Sequence, residues 1–197
     1  KIDEYDKHVI GNSFPKLTYG FNLGAEFYGV DIQLFFQGVW GNKIYNALRE
    51  RLEGDGYSNS LASYMKDNIW VGYTDAVRTA LLNKGVNWME LENREGTIPN
   101  PLGSPTNMEN STRFLESGSY LRLKNAQIGY TLPKNITQKF HCSRLRFYVT
   151  ASNLFTITKY KGLDPEMTNS DPQYSGIDSR DKYPSIRTVT AGVNINF

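Results

Sequence analysis

The stretch LTYGFNLGAEFYGVDIQLFFQGV, residues 17–39, decides the fold class of this chain. From residue 17 to residue 27, apolar side chains occupy every second position, and polar residues or glycines fill the positions between them. This strict two-residue period predicts a strand with one apolar face. Tyr28 and Gly29 then predict a tight turn, and the alternation resumes directly after it. The stretch therefore predicts a long β-hairpin with strands at about 17–27 and 30–40.

Three further stretches show the same two-residue period, at about 119–132, 144–158 and 188–197. In the first of them the apolar residues change parity at Lys124 and Asn125, which predicts a β-bulge. Five strands of roughly ten to fifteen residues result. Short and long connections alternate between them, and the long connections span about 41–117 and 159–186.

Strand length and loop asymmetry together predict an all-β transmembrane barrel. Strands of soluble proteins are typically about five or six residues long, whereas a tilted strand of about ten residues crosses a bilayer. The mean hydropathy of -0.51 does not oppose this, because a barrel strand exposes only every second residue to lipid. Five strands cannot close such a barrel, so we expect the chain to be part of a larger one. The pattern alone leaves open a soluble, secreted carbohydrate-binding β-sandwich.

Composition and motifs exclude several other classes. The net charge of +2 argues against nucleic-acid binding through phosphate neutralisation. The single cysteine, Cys142, cannot form an internal disulfide. His8 and His141 are isolated, and no nucleophile, base and acid recur in a known arrangement, so we predict that the chain is not an enzyme.

The 41–117 connection is predicted to be partly helical and is the first place to look for a ligand. Asn42 and Thr74 are potential helix caps, the second before residues 75–83 and Gly85. Flat aromatic rings stack on sugars and peptides, so we predict that some aromatic residues contact a ligand or a lid protein. The candidates are Trp40, Tyr45, Trp70, Tyr73 and Trp88. Alternatively, these rings pack into the connection's own small core.

The 159–186 connection carries several carboxylates, among them Asp164 and Glu166 on either side of Pro165. The simplest interpretation is a structural turn. Asp171, Asp178 and Asp181 make the same connection acidic, so calcium is a conceivable ligand. The spacing fits no calcium-loop motif, and we predict no cofactor.

Four blocks of the sequence resemble one known family. They are VIGNSFPKLTYGFNLGAEFYGVDIQLFFQGVWGNKIYN (9–46), SGSYLRLKNAQIGYTLP (117–133), VTASNLFTITKYKGLDPEM (149–167) and YPSIRTVTAGVNINF (183–197). Together they are similar, in the same order, to late barrel segments of the SusC/RagA family of TonB-dependent outer-membrane transporters. In the third block, the family-like loop consists of Gly162, Asp164, Pro165 and Glu166.

The resemblance implies the last five strands of an antiparallel barrel of about 22 strands in the bacterial outer membrane. It implies that loops 41–117 and 159–186 are extracellular. It also implies a plug domain and a TonB-binding segment that lie outside residues 1–197, and a SusD-like surface lipoprotein as a lid. The whole protein would import oligosaccharides or peptides as nutrients.

The stretch TVTAGVNINF, residues 188–197, resembles the signal by which barrel-assembly machinery recognises outer-membrane proteins. Its pattern residues are Thr190, Gly192, Ile195 and Phe197. An assembly factor can pair with an unpaired edge strand, and a glycine allows close backbone approach. We therefore predict that this strand carries the assembly signal.

Overall fold

A computed structural model describes residues 5, 7–54, 62–100, 111–166, 172–178 and 183–197. The chain divides into two compact units. Residues 1–45 and 115–197 form the first, called the strand unit, and residues 46–114 form the second, called the insertion unit.

The strand unit is built from antiparallel strands. In chain order they are Leu17–Phe27 (β1), Val30–Trp40 (β2), Lys43–Tyr45 (β3), Leu115–Ser117 (β4), Tyr120–Thr131 (β5), Arg144–Ser152 (β6), Thr156–Thr158 (β7) and Thr188–Asn196 (β8). The main sheet has the order β1-β2-β5-β6-β8, with β7 also paired to β5, and β3 and β4 form a separate ribbon. The predicted strands at 17–27 and 30–40 coincide with β1 and β2.

The short connections contain tight local structure. Between β1 and β2, Tyr28 and Gly29 both have positive φ, 48° and 81°, as a two-residue hairpin loop requires. The predicted tight turn is therefore confirmed. Between β5 and β6, one helical turn at Lys134–Thr137 (α3) is followed by a 3-10 turn at Gln138–Phe140.

The predicted bulge in β5 is also confirmed. Phe35 of β2 is opposite Asn125, but the next residue, Phe36, is opposite Leu123, so Lys124 is an extra residue. On the other side of β5, Asn153 adopts φ 53° and its backbone N–H donates to the Lys124 carbonyl at 3.0 Å. The prediction of one continuous strand over 144–158 was wrong, because this irregularity divides it into β6 and β7.

Strand register places apolar side chains side by side across the sheet. One such row contains Phe27, Val30, Tyr130, Phe147 and Val193, and the next contains Ala25, Ile32, Ile128, Val149 and Ala191. This apolar face is open: Phe27 is 73% exposed and Ile128 is 55% exposed. Soluble monomers rarely expose a continuous apolar area of this extent, whereas the outer surface of a membrane barrel is apolar.

The opposite, polar face is crossed by an ion pair. Arg146 of β6 donates to Asp31 of β2 through Nε at 2.9 Å and Nη2 at 2.5 Å. The pair passes over Gly129 of the intervening strand β5, where a Cβ atom would collide with the guanidinium group. Glycine at this position therefore allows a bond between two strands that are not neighbours.

The insertion unit contains two helices, Ala47–Gly54 (α1) and Asp75–Asn83 (α2). Its buried apolar residues are Met65, Ile98 and Phe114. The second helix has the predicted limits and follows Thr74, although the Thr74 side chain makes no capping hydrogen bond. Between the two helices, residues Ser63–Met65 form one 3-10 turn.

The predicted cap of the first helix was wrong. Residues 43–45, which follow Asn42, pair with residues 115–117 as a ribbon and are not helical. The helix starts after Asn46, whose side-chain Oδ1 accepts a hydrogen bond from the Arg49 backbone at 2.9 Å. Both asparagines precede apolar residues in the sequence, so only the strand pairing distinguishes them.

Candidate functional site

A buried arginine on the polar face of β5 forms hydrogen bonds with several side chains of the connection that follows β7. Arg122 is 3% exposed. It donates to Thr156 Oγ1 at 2.7 Å, to Glu166 Oε2 at 2.6 Å and to Ser185 Oγ at 2.8 Å, and it forms a short ion pair with Asp164. These residues and Lys124 are called the arginine cluster.

Lys124 completes the charge balance of the arginine cluster. Its Nζ lies 2.6 Å from Glu166 Oε1, so two cations face two carboxylates. Lys124 is also the extra residue of the β5 bulge. A buried arginine would be costly if it were unpaired, and the two acidic side chains provide the compensation that burial requires.

Asp164 is held in its ionised form. Burial raises the pKa of its carboxyl, but the hydrogen bonds from Arg122 and from the backbone N–H groups of Glu166 and Ser185 outweigh burial and lower the pKa to about 2. The two backbone bonds measure 2.9 Å to Oδ1 and 2.8 Å to Oδ2. Asp164 is therefore an anion at any physiological pH.

The arginine cluster gives a physical reason for the family-like loop. Asp164 and Glu166 bond to Arg122 and Lys124, which belong to a different family-like block. Gly162 lies against the ring of Tyr160, where a Cβ atom would collide with the ring, and the Tyr160 hydroxyl bonds to Asp178. The loop is thus fixed to the polar face by charge pairing.

The prediction that the 159–186 connection holds no calcium or other cofactor stays a prediction. Asp171 and Asp181 lie outside the described residues. Among the residues that are described, no group of three or more His, Cys, Asp or Glu side chains could hold a metal ion. Asp164 and Glu166 already accept hydrogen bonds from arginine, lysine and backbone donors.

A cavity of about 250 Å³ adjoins the arginine cluster. Its walls come from β7, from the family-like loop and from the segment before β8. The lining includes Asn153, Thr156, Thr158, Leu163, Pro165, Pro184 and Arg187, together with Arg122, Gly162, Asp164 and Ser185. It lies on the polar side of the sheet.

The insertion unit has a charge cluster of its own around Glu53, which is 0% exposed. Its carboxylate accepts from Arg49 at 2.7 Å, Tyr64 at 2.7 Å and Arg113 at 2.6 Å. Burial raises the pKa of Glu53, but these hydrogen bonds bring it below its usual value. Burial and the bond to Glu53 raise the pKa of Tyr64 to about 12. The cluster links α1 to residues 63–65 and 112–114.

The five predicted aromatic contacts are not gathered at one place. Trp40 ends β2 on the apolar face, opposite Leu17, with the Lys16 ammonium 6.0 Å from its ring. This position is typical of the aromatic girdle of a membrane barrel. Tyr45 is half-buried in the β3 ribbon, and its backbone bonds to Gly176 and Asp178.

The other three aromatic residues lie in the insertion unit. Trp70 is half-exposed and its ring covers Gly72. Trp88 packs under the Arg78 guanidinium, 4.6 Å from the ring centre. The Tyr73 backbone N–H donates to Glu92 and, with Arg78, lowers the pKa of that carboxyl to about 2. Whether any of these rings contacts a ligand stays a prediction.

Relatives of the chain among curated proteins are TonB-dependent receptors. Receptor P3 of Formosa agariphila is 33% identical over 206 residues, which cover 100% of this chain and 18% of the receptor. Receptor P26 of the same organism is 27% identical over 201 residues. The receptor SusC of Bacteroides thetaiotaomicron is 38% identical over 89 residues, which cover 44% of this chain and 8% of SusC. The chain belongs to the SusC/RagA family of TonB-dependent receptors.

Solved structures agree with this assignment to the SusC/RagA family. The RagAB peptide importer in its closed-closed state matches 96% of this chain with a TM-score of 0.72 and 28% identity. The open-open state matches 93% with a TM-score of 0.69. These matches cover 18% and 17% of the RagAB chain, so this SusC/RagA chain spans less than a fifth of the proteins it matches. No family model matches it.

Family membership assigns this SusC/RagA chain to the bacterial outer membrane and favours part of a membrane barrel over the soluble sandwich. The relatives are receptors and an importer, not enzymes. In the described parts of the chain, no helix is both long and apolar enough to span a membrane.

The predicted assembly signal lies on β8, an edge strand that pairs with β6 alone. Thr190 and Gly192 belong to the polar face, where the Tyr148 ring of β6 covers Gly192. Ile195 belongs to the apolar face and is half-exposed, and Phe197, just beyond the strand, is 90% exposed. The edge position is compatible with pairing to another strand, but the signal itself stays a prediction.

Sequence reasoning missed Arg122 and Glu53, the two buried charges that organise the loops. Arg122 sits in the LRLKN stretch of a family-like block at a position of the polar parity, where a solvated arginine was equally compatible with the pattern. Glu53 lies four residues after Arg49, which predicts a surface helix pair rather than a buried cluster. The burial of each residue depends on a partner from a distant segment: Glu166 pairs with Arg122, and Arg113 pairs with Glu53.

Proposed function

We propose that this chain forms part of the wall and two extracellular loops of a TonB-dependent transporter that imports oligosaccharides or peptides. The observation that carries the proposal is the two-faced sheet. Its strand register gives the sheet an exposed apolar face, which would meet lipid, and a face with polar side chains such as Asp31, Gln33 and Arg146, which would line a lumen. The similarity to the RagAB peptide importer supports transport as the activity.

The partners of the whole protein are part of the same proposal. The edge strands β1 and β8 would pair with further strands of the barrel, and the polar face would contact a plug domain. A SusD-like lipoprotein would close the extracellular side, and TonB would act through a segment outside these 197 residues. Transport by such an assembly needs binding and movement but no bond chemistry, so we propose no enzymatic activity.

Deletion of the gene that encodes the full-length protein tests the proposal. The deletion strain should lose growth on a defined set of oligosaccharides or peptides as sole carbon source and keep growth on glucose. Complementation with the full-length gene should restore growth. Unchanged growth and unchanged uptake on every glycan and peptide tested would refute an import role.

A second experiment addresses the soluble alternative. Residues 1–197 expressed alone without detergent should aggregate, because the apolar face has no cover in water. A soluble monomer that unfolds cooperatively in circular dichroism would instead support an independent binding module.

A further inference from the structure

We propose that the cavity beside the arginine cluster binds a carboxylate group that carries a neighbouring hydrogen-bond donor, as part of the imported cargo. The inference rests on the proposed transport function, which places the polar face and this cavity on the side of the barrel that cargo passes. Two sources offer this chemistry, a uronic-acid unit of an oligosaccharide and the carboxyl-terminal residue of a peptide.

The size of the cavity limits what can enter. At about 250 Å³ it is smaller than the roughly 300–1,000 Å³ of pockets that hold whole drug-sized ligands. It is nevertheless several times larger than the roughly 30 Å³ that one water molecule occupies in the liquid. One sugar ring or one amino-acid residue is therefore the appropriate size for an occupant.

Asn153 supplies an unused acceptor. Its side-chain Nδ2 donates to the Ile186 carbonyl at 3.0 Å, and this partner fixes which end of the amide is nitrogen. Its Oδ1 is buried and has no hydrogen-bond partner among the described residues. Buried polar atoms are nearly always paired, so this oxygen in a residue of the cavity wall would accept an O–H or N–H donor of a ligand once the atoms that cover it move aside.

The backbone keeps Asn153 in place. Its φ of 53° is the left-handed conformation that asparagine tolerates, and its N–H is bonded to Lys124. A small backbone adjustment therefore cannot expose the unpaired Oδ1 of Asn153 to solvent. The bulge that divides β6 from β7 is what presents this oxygen.

Arg187 supplies the unused cation. The charges of Arg122 and Lys124 are already balanced by Asp164 and Glu166. Arg187 also lines the cavity, is exposed, and makes no ion pair with any residue that the structure describes. A planar guanidinium binds a carboxylate through two parallel hydrogen bonds, which makes a carboxylate the best-matched anion.

The test uses the full-length transporter with its lipoprotein lid and isothermal titration with paired probes. One pair is a disaccharide with a terminal glucuronate and its neutral glucose analogue, and the other is a dipeptide with a free or an amidated carboxyl terminus. We expect one acidic probe to bind at least tenfold more tightly than its neutral analogue. The pair that shows the difference identifies the source of the carboxylate.

Two variants assign the binding to the cavity. Arg187→Gln should abolish the preference for the acidic probe, while Arg144→Gln, which removes an exposed arginine from the other end of β6, should not change it. Asn153→Gly accepts the positive φ but removes Oδ1, and it should weaken both members of the pair. Equal affinity for acidic and neutral probes, or an unaltered preference in Arg187→Gln, would overturn the proposal.

Uptake in cells separates this proposal from the proposed function. If gene deletion does not reduce uptake of any cargo, the transport function fails. If deletion abolishes uptake but Arg187→Gln and Asn153→Gly transport acidic and neutral cargo at the wild-type rate, transport stands and only the cavity assignment fails. Variants count only when the barrel remains heat-modifiable on gels, which shows that it is folded.

Discussion

The two units of this chain differ in how they arrange their exposed apolar side chains: the strand unit aligns them in rows across one face of a sheet, and the insertion unit does not. In the strand unit, residues such as Phe27 and Ile128 are exposed on one face of the sheet. In the insertion unit, Met65, Ile98 and Phe114 are buried, while other apolar residues such as Leu82 and Met89 are exposed and belong to no sheet face. The difference follows from the solvent, because a barrel wall meets hydrocarbon along a whole face, whereas a unit in water gains stability by burying a small apolar core.

The two units also use charge differently. In the insertion unit, Glu53 is fully buried and joins segments up to 60 positions apart. In the strand unit, backbone pairing holds the sheet, and the ion pairs lie on its polar face. Loss of a buried charge should therefore disrupt the insertion unit, whereas the sheet should be most sensitive to charge on its apolar face.

Glu53→Ala is expected to have the largest effect. It leaves Arg49 and Arg113 without their shared anion, and breaking a buried ion pair typically costs about 3–5 kcal/mol. Hydrogen exchange on the full-length protein should show faster exchange in residues 47–54 and no change in residues 17–40. Glu50→Ala on the same helix is the control, because its carboxylate has no partner among the described residues. Equal deprotection of the strands would contradict the independence of the units.

Leu34→Arg should have the next largest effect. Leu34 lies in the middle of β2 on the apolar face, between Leu23 and Ala126. An arginine on the lipid face near the bilayer midplane costs about 2–4 kcal/mol in a membrane barrel. The folded, heat-modifiable fraction of the full-length protein should fall.

Gln33→Arg provides the matched control for Leu34→Arg. Gln33 is the neighbouring residue on the polar face, opposite Gly24 and Gln127. The folded fraction should remain near that of the wild type, since the added charge would face water. Similar losses in both variants would mean that the apolar face does not contact lipid.

The same contrast explains how much could be predicted from the sequence. The strands at 17–27 and 30–40 and the bulge at Lys124 follow from alternation, since lipid and lumen impose a period of two on every strand. The break at Asn153 was missed because apolar residues continue on both sides of it. The predicted cap at Asn42 was wrong because local rules cannot detect the pairing of residues 43–45 with 115–117.

The arginine cluster could be predicted only in part. The family-like loop drew attention to Asp164 and Glu166, and a structural turn was the simplest interpretation of them. Their partners Arg122 and Lys124 lie about 40 positions earlier, and no local period connects the two segments. Side-chain bonds between distant segments leave no repeating pattern in the sequence. For the same reason, the ion pair of Asp31 and Arg146 could not be predicted.

Acidification should weaken the arginine cluster by an intermediate amount. The pKa of Asp164 is about 2 in the folded protein, below its ordinary value of 3.8. A depressed pKa gives stability that is fully present above about pH 4 and is lost as the pH falls toward 2, by about 2 kcal/mol. Thermal unfolding of the full-length protein between pH 6 and pH 2.5 measures it.

Asp164→Asn isolates this contribution from the other carboxylates of the protein. The melting temperature of the variant should lie below that of the wild type at pH 6, and the difference should shrink toward pH 2.5. Glu26→Gln is the control, since Glu26 is exposed on the polar face and is not a member of the arginine cluster. A difference that is constant with pH would show that the charge of Asp164 does not stabilise the loop.

Gly129→Ala is expected to have the smallest effect and tests the finest detail of the sheet. A Cβ atom at this position collides with the Arg146 guanidinium, so Arg146 must move away from Asp31. Gly24→Ala is the matched control, because a Cβ at residue 24 would meet only the Ile32 carbonyl, at an ordinary 3.8 Å. We expect about 1 kcal/mol of destabilisation for Gly129→Ala and little change for Gly24→Ala, measured by urea unfolding of the full-length protein in detergent. If Asp31→Asn removes most of the difference between the two alanine variants, the ion pair is its cause. If the difference persists, the glycine serves backbone geometry instead, and the bond across β5 contributes nothing to holding the three strands together.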